Sequence, residues 1–552
     1  MILPLIALII IIQCFVSLHR HIRKERPLIV LTNTKTKKSI PVLYWENSIG
    51  RSKSSDIVLD NASVSRDHAV LYRRKEGWII SDVSRYGILV NGEKIEDKGN
   101  KWFKKLFAID EKSRKVFIGD IITIGELSFV LNQYEDVNKS EDKIYKHKSS
   151  AGLLFLVTLF HLAATLQLCI DENGINLTGI VPFVILFIIS WICFTINKLI
   201  LKDGGFELES LGIFLSGISI ISIFSMGNIN QVIVQSLSLT IGLILFIAIV
   251  LFMRNPERVM KFRVPIAILS IGLLGFNLIF GSVINGSKNW IMVGNFSLQP
   301  SEIVKMAFIL VGTATLNRLQ TAKNLTGFIA FTGVCIGSLF LMGDFGTACI
   351  FFVTFVLMSL MRSGSIRTII LICAIAVLGL FIIIRFKPYV ANRFMTWGHA
   401  WDYASSSGYQ QTQTMTYCAS GGLFGVGIGK GYLKNIFAAE NDLIFGVLCE
   451  EWGMIEAFMA ASVIILIAIY VIRMSTRSRS TLYSIASYSA AGMMVFQLCL
   501  NIFGCTDILP FTGVTFPFIS LGGSSMISVW GLLAIIKSSD EYTYVHVKKN
   551  NK

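Results

Sequence analysis

Charged side chains are scarce in this 552-residue sequence: Asp, Glu, Lys and Arg make up 15% of it against 53% hydrophobic residues, and the mean hydropathy is +0.63. That balance excludes a water-soluble globule, which could not cover so much apolar surface. Paired cysteine motifs are lacking as well. The ten cysteines are scattered, mostly inside apolar runs, with no CxxC and no Cys/His ligand spacing, so neither a disulfide framework nor a zinc site is expected. Only Cys418 and Cys505 are expected at or near the outer face, too distant in sequence to argue for a bridge. The first apolar run lacks the preceding basic residues and the small-residue cleavage site of a secretory leader, and reads as an anchor. The net charge of +15 does not point to nucleic acid, because much of the excess lies in short loops where membrane orientation accounts for it.

What the sequence has instead is a series of apolar runs of the length that crosses a bilayer, about thirteen of them. The first is 3–18; the others are 150–170, 178–200, 207–227, 230–253, 264–284, 302–317, 325–342, 345–362, 367–385, 443–472, 480–504 and 516–537. The positive-inside rule orients them. His19, Arg20, His21, Arg23, Lys24 and Arg26 place the end of the first run in the cytoplasm. Alternation then puts Lys198 and Lys202, Arg254 to Arg263, Arg318 and Lys323, Arg362 and Arg367, and Arg473 to Arg479 on that same side, while the stretch from Lys387 to Asp442 faces outward. Hydropathy and charge agree on a multi-pass protein of the cell membrane.

Residues 27–135 interrupt this pattern with a polar region long enough for one small domain. Its short alternating stretches, AVLYRR, GWIISDV, ILVNG and IITIGELSFVL, are separated by Gly, Asn, Asp and Ser and read as strands of a β-sandwich on the cytoplasmic side. The charged stretch 136–149 reads as a linker into the membrane. Within the sandwich, IGRSKSSDIVLDNASVSRDHAVL followed by SDVSRYGILVNGEKI resembles the forkhead-associated (FHA) family. The resemblance implies recognition of a phosphothreonine protein, with Arg51 and Ser65 on the phosphate, Arg66 and Arg85 as secondary contacts, and His68 bracing the loop. A dianionic phosphate calls for a guanidinium fork and hydroxyl donors. The chain departs from the family at Tyr86, where an Asn usually holds the peptide backbone; a sandwich kept only as a docking surface is the alternative.

In the membrane part, Lys288, Glu302 and Lys305 of NGSKNWIMVGNFSLQPSEIVKMAF sit at a membrane boundary, where ionisable groups are expensive and usually functional. Glu302 and Lys305 share a helical face and can pair; a plain interfacial ion pair is the other reading. This segment resembles the SEDS family (shape, elongation, division and sporulation proteins of the RodA/FtsW type), as do GDFGTA, NRFMTWGHAWDYASSSGYQQTQTMTYCASGGLFGVGIGKG, AAENDLIFGVLCEEWG and LPFTGVTFPFISLGGSS. The resemblance covers 207–537 and implies a polytopic α-helical core of about ten spans. The N-terminal anchor (1–26) and the helices within 150–200 are then additions, and 538–552 is a cytoplasmic tail. The glycines of GVGIGKG, in an outward loop with no βαβ context, read as loop rather than as a nucleotide fingerprint.

The activity that resemblance implies is a peptidoglycan glycosyltransferase, polymerising lipid II into glycan strands at the outer face. Its catalytic acid falls at Asp442, in ENDLIFG where relatives commonly have HTDFIFA; this chain keeps the acid and has Glu440 and Asn441 before it. A lipid-linked sugar diphosphate carries its own leaving group, so the enzyme needs a base for the acceptor hydroxyl and positive charge for the diphosphate. Asp442 supplies the first, unless it only caps the following helix. Lys305, Arg393 and Lys288 are candidates for the second, in that order. Asp344 either shapes a turn or lines the cavity, and Glu450 and Glu451 are expected in a structural network. No metal-ligand cluster is legible, although a divalent cation such as Mg2+ or Mn2+ could bridge the diphosphate and an acid. A class B penicillin-binding transpeptidase is the implied partner. A flippase for the lipid-linked precursor, or a non-catalytic scaffold, are the alternatives.

Overall fold

The computed structural model describes residues 2–20, 27–52, 55–74, 77–84, 86–95, 112–134, 151–171, 174–175, 177–201, 205–284, 287–293, 296–316, 322–363, isolated positions between 370 and 385, 388–476, 478 and 480–548. Most of the expected span 367–385, the linker 136–149 and Arg85 lie outside the described residues.

The N-terminal helix α1 (Ile2–Arg20) leads into a β-sandwich. Its strands are β1 (Ile29–Asn33), β2 (Ser39–Val42), β3 (Glu46–Gly50), β4 (Ile57–Val58), β5 (Ala69–Arg74), β6 (Gly77–Asp82), β7 (Ile88–Val90), β8 (Glu93–Lys94), β9 (Ser113–Val116), β10 (Ile121–Ile124) and β11 (Leu127–Gln133); one sheet has the order β2-β1-β11-β10-β7-β8 and the other β4-β3-β5-β6-β9. Along each strand alternate residues turn inward, as a two-layer sandwich demands. Ile29, Leu31, Ile49, Leu71, Ile80, Ile122 and Leu131 form a core separate from that of the membrane helices. The pairs Ile49↔Ala69 and Glu46↔Tyr72 fix the register of β3 on β5.

Fourteen further helices build the described membrane part: α2 (Ala151–Leu168), α3 (Val181–Leu201), α4 (Glu207–Ser225), α5 (Ile229–Met253), α6 (Pro256–Phe280), α7 (Pro300–Leu316), α8 (Ala322–Met342), α9 (Phe345–Ser363), α10 (Pro388–Thr396), α11 (Tyr409–Gly421), α12 (Ile444–Glu451), α13 (Met454–Thr476), α14 (Thr481–Cys505) and α15 (Gly523–Lys548). Among the described residues seven helices are long and apolar enough to cross a membrane, and three shorter apolar helices, Ile2–Leu18, Thr326–Met342 and Phe345–Met361, accompany them. The chain is a multi-pass membrane protein. Helix α4 is buried along almost its whole length, packed by α1 and α2 on one side and by α5 and α15 on another.

Three expected spans are redrawn. The run 443–472 is two helices, because the chain turns at Gly453: its φ is +95°, and a Cβ there would stand 2.5 Å from the Leu423 carbonyl oxygen. Only glycine fits both the dihedral and the space. The run 516–537 starts as a tight non-helical segment, with Phe518 at φ +66°, and becomes helical at Gly523. The run 264–284 is displaced: α6 begins at Pro256, capped by the Asn255 side chain accepting from Glu257 N at 3.0 Å, and the basic stretch counted as loop forms its first turns. Its far end gives way to the strand Ser282–Ile284. Window-averaged hydropathy registers none of these dihedral and capping events.

Candidate functional site

Asp442 lies in the loop between α11 and α12, held by backbone contacts from three directions. Its own N–H, with those of Asn441 and Leu443, converges on the Ala438 carbonyl, and Ala438 adopts φ +61° to make this possible. The Asn501 amide of α14 donates to the Asp442 carbonyl (3.0 Å) and to that of Val514 (2.7 Å). Ser520 donates to the Asn441 carbonyl (2.6 Å), and Leu521 N donates to that of Glu440 (2.8 Å). The loop after α14 therefore clasps the acid-bearing loop. The Asp442 side chain is left out of this web, and the helix that follows is capped at Leu443 without any side-chain bond, so Asp442 does not serve as its cap.

The Asp442 carboxyl is half-buried beside Gly513, whose φ is +67°; a methyl group there would stand 3.2 Å from Oδ2. Burial pushes the carboxyl up to about 6, the Arg393 guanidinium opposing the rise and the Glu440 carboxylate adding to it. Glu440 in turn accepts from Gln231 of α5 at 3.4 Å. A carboxylate poised near neutrality, with a guanidinium within electrostatic reach, is equipped to take a proton while a cation faces developing negative charge.

Below this loop runs a buried polar chain. Lys305 donates to Glu302 (2.7 Å) and to the Gln497 side-chain oxygen (3.2 Å), all three residues being almost completely enclosed. Gln497 donates to the Thr515 hydroxyl (2.9 Å) and carbonyl (3.1 Å), and Thr515 meets Ser525 at 2.8 Å. Gln497 and Asn501 stand one turn apart on α14, so one helix face joins Lys305 to the Asp442 loop. The remaining candidates lie elsewhere. Lys288 is half-buried and donates to the Ile279 carbonyl at the end of α6 (3.1 Å). Asp344 caps α9 by accepting from Thr347 N (3.1 Å), and also accepts from Gln299 (3.0 Å) and Asn289 (3.3 Å). Glu450 accepts from the backbone of Tyr432 and Leu433, and Glu451 from Gly429 N and Ser225, so both anchor the 428–433 loop on α12. Among the described residues no three His, Cys, Asp or Glu side chains converge as a cation cage.

In the sandwich, Arg51 N donates to the Ser65 carbonyl (2.9 Å) and Ser52 N to that of Arg66 (3.1 Å), which sets these residues side by side at one end of the sheets. His68, fully buried, accepts from Ser65 N at Nδ1 (3.0 Å), and its Nε2 lies 3.4 Å from the Gly87 carbonyl. Burial holds the imidazole below its ordinary range, which keeps Nδ1 free to accept. Tyr86 is exposed.

Sequence reading passed over Gln497, Asn501, Gly513 and Ser520. Gln497 and Asn501 carry a usable signal, two amides four residues apart inside an otherwise apolar span. Gly513 and Ser520 carry none, since only the fold brings them to Asp442.

The FHA-domain family model matches residues 47–103, inside the sandwich. The chain is 33% identical over 262 residues to a probable peptidoglycan glycosyltransferase FtsW of Coxiella burnetii, covering 45% of this chain and 70% of that one. It is 28% identical over 388 residues to its counterpart from Bacillus subtilis, covering 64% and 95%. A solved chain from a peptidoglycan synthase complex that coordinates polymerization and crosslinking shares the fold, at TM-score 0.52 and 23% identity, over 62% of this chain and 98% of that one. The model for the cell cycle protein family of FtsW, RodA and SpoVE matches residues 206–544, from the start of α4 through most of α15 and including every residue of the Asp442 site, and the chain belongs to that family.

Proposed function

We propose that this protein is a peptidoglycan glycosyltransferase that polymerises lipid II at the outer face of the membrane. The observation that carries the reading is the Asp442 carboxyl, half-buried and raised to about 6, within electrostatic reach of Arg393 on a loop pinned by Asn501 and Ser520. Asp442 takes the proton of the acceptor sugar hydroxyl. The hydroxyl oxygen attacks the donor anomeric carbon, the bond to the diphosphate breaks, and undecaprenyl diphosphate leaves with the bonding electron pair. A single displacement inverts the anomeric centre. Arg393 faces the departing negative charge. Lys305 acts one layer away, as a positioning residue that keeps Gln497 and hence α14 in place, while Lys288 and Asp344 brace the outer hairpin and α9.

The relatives' names and the motif set support this assignment, as does the family's link to a synthase complex; we infer a class B penicillin-binding transpeptidase as the partner that cross-links the strands. The sandwich is placed in the cytoplasm, its Arg51, Ser65 and Arg66 end reading a phosphothreonine protein, and Asp442 in the extracytoplasmic region. The basic loops flanking α1 and α14 support that sidedness. Purified protein given lipid II and its partner is expected to make glycan polymer resolvable on a gel, and Asp442→Ala to abolish it in a protein that still melts cooperatively. Full activity in that variant removes the base assignment. Flipping of labelled lipid II without polymer turns the reading to a transporter.

A further inference from the structure

The sandwich does not hang free from the membrane helices. Trp45, 4% exposed, belongs to the hydrophobic core of the membrane part and packs edge-on against Tyr483 of α14, with ring centroids 6.4 Å apart at 78°. Leu28 packs against the same core. Glu46, the next residue, is 1% exposed; its carboxylate accepts from Thr481 N at 3.1 Å and from the Ser480 hydroxyl at 3.4 Å. Ser480 is the N-cap residue of α14 and makes no side-chain cap bond of its own. The first turn of a helix carries unpaired N–H groups and partial positive charge. A carboxylate from another domain therefore satisfies a site that the α14 sequence leaves open.

Two opposed ends follow. On β3, Glu46 begins the strand and Gly50 ends it, so Arg51 lies about 16 Å from the docking residue, beyond the opposite end of the strand. On α14, the docked turn at Thr481 is about 30 Å from Asn501, which holds the Asp442 carbonyl. Tyr483 is fixed in between, its hydroxyl donating to the Met253 carbonyl at 2.5 Å and its own carbonyl accepting from Ser539 at 3.0 Å. A strand and a helix thus join the phosphate-facing loop to the acid-bearing loop, with Trp45 and Glu46 as the joint.

We propose that the sandwich is a cis-acting clamp on the membrane enzyme: Trp45 and Glu46 cap and seat α14, and a phosphothreonine peptide bound at the Arg51 and Ser65 end acts on the catalytic loop through this contact. The inference rests on the polymerase reading for its consequence, though not for the contact itself.

Hydrogen exchange on the full chain in nanodiscs separates the two. In Glu46→Ala, the amides of 481–484 are expected to exchange about fivefold faster, the size of a lost cap, and Glu46→Gln is expected to fall between this variant and the wild type. Trp45→Ala gives the same local change from the packing side, so a misfolded single variant does not decide the result. Unchanged exchange in all three overturns the clamp. A degenerate phosphothreonine peptide pool, with the unphosphorylated pool as control, is expected to alter exchange at 481–484 and at 438–443 in the wild type, and to alter neither in Arg51→Ala. Binding by calorimetry with no change at either segment overturns the coupling, and no binding at all overturns the ligand half while the Glu46 result stands. Glu46→Ala is further expected to lower the polymerisation rate at least threefold; an unaltered or raised rate overturns the transmission to Asp442. If the wild type makes no polymer yet the exchange results hold, the polymerase reading fails and the clamp survives.

Discussion

At the scale of single residues, the site turns on one carboxylate whose surroundings set both its chemistry and its cost. In the role proposed for it Asp442 can act as a base only when ionised, and burial raises it from an ordinary 3.8 to about 6. The polymerisation rate is therefore expected to fall on the acid side with a midpoint near pH 6, leaving about a tenth of the plateau at pH 5. A profile flat to pH 4.5 would show that Asp442 is not the group titrating. Stability responds with the opposite sign. A carboxyl whose folded value exceeds its unfolded one stabilises the fold while protonated, and that contribution is lost as pH rises from about 4 through 6. Asp442→Asn cannot ionise, so at pH 8 it is expected to be inactive yet to melt a few degrees above the wild type, the two curves meeting near pH 4. Gly513→Ala tests the neighbouring space. Its φ of +67° strains any other residue, and the new methyl would crowd Oδ2 at 3.2 Å; kcat is expected to drop about tenfold or more, and a KM effect alone would count against the placement. The position proposed for the acid was read from ENDLIFG, which carries an acidic residue in a recognisable order. Its partners were not, because Asn501, Gly513 and Ser520 are brought in by tertiary packing over sequence gaps that no local pattern spans.

At the scale of elements, the legible parts were those whose physics is periodic. Alternation in AVLYRR and IITIGELSFVL marked strands that the sandwich contains, and apolar length marked most of the spanning helices. The breaks were hidden. Gly453 separates α12 from α13 through a dihedral and a close approach to Leu423, and a hydropathy window treats it as one more small residue in an apolar run. That break has a purpose: it lets α12 end against the 428–433 loop, where Glu450 and Glu451 collect four donors from 225 and 429–433. Gly453→Ala is expected to disrupt both, since φ +95° and a 2.5 Å contact cannot be relieved together. The variant should lose several degrees of thermal stability and most of its activity, whereas Gly427→Ala, with a similar φ but open space apart from the Lys430 chain, should lose less. Equal losses would mean that backbone strain alone, not the packing of α12 on the loop, sets the cost.

At the scale of the whole molecule, the family match begins at residue 206, which raises the question of whether α1 to α3 and the sandwich are attachments or parts of the machine. Their contacts favour the second. Helix α4, where the match begins, is enclosed on the side that α1 and α2 cover: Ser17 donates to Glu207 at 2.7 Å, Phe160 lies 4.8 Å from Phe214, and the His161 ring fills the space where Gly217 has no side chain. On α3, Asn197 donates to Glu209 at 2.8 Å, and Glu209 pairs with Lys537 of α15 at 3.2 Å. Lipid could replace apolar packing at little cost, because its chains are as apolar as leucine, but it offers no donor to a buried carboxylate and no shape to fill the Gly217 groove. A chain cut to 206–552 therefore loses the Ser17 bond to Glu207, the Asn197 bond to Glu209 and the Glu46 cap on α14. It is expected to melt well below the full protein in the same detergent, and to polymerise more slowly even where relatives work without such additions. Restoring α1 to α3 with a short linker in place of the sandwich should recover the stability of the α4 face but not the exchange protection of the first turn of α14. If the 206–552 chain matches the full protein in melting temperature and rate, the added helices and the sandwich are passengers, and the contacts to Glu207, Glu209 and Thr481 carry no energetic weight.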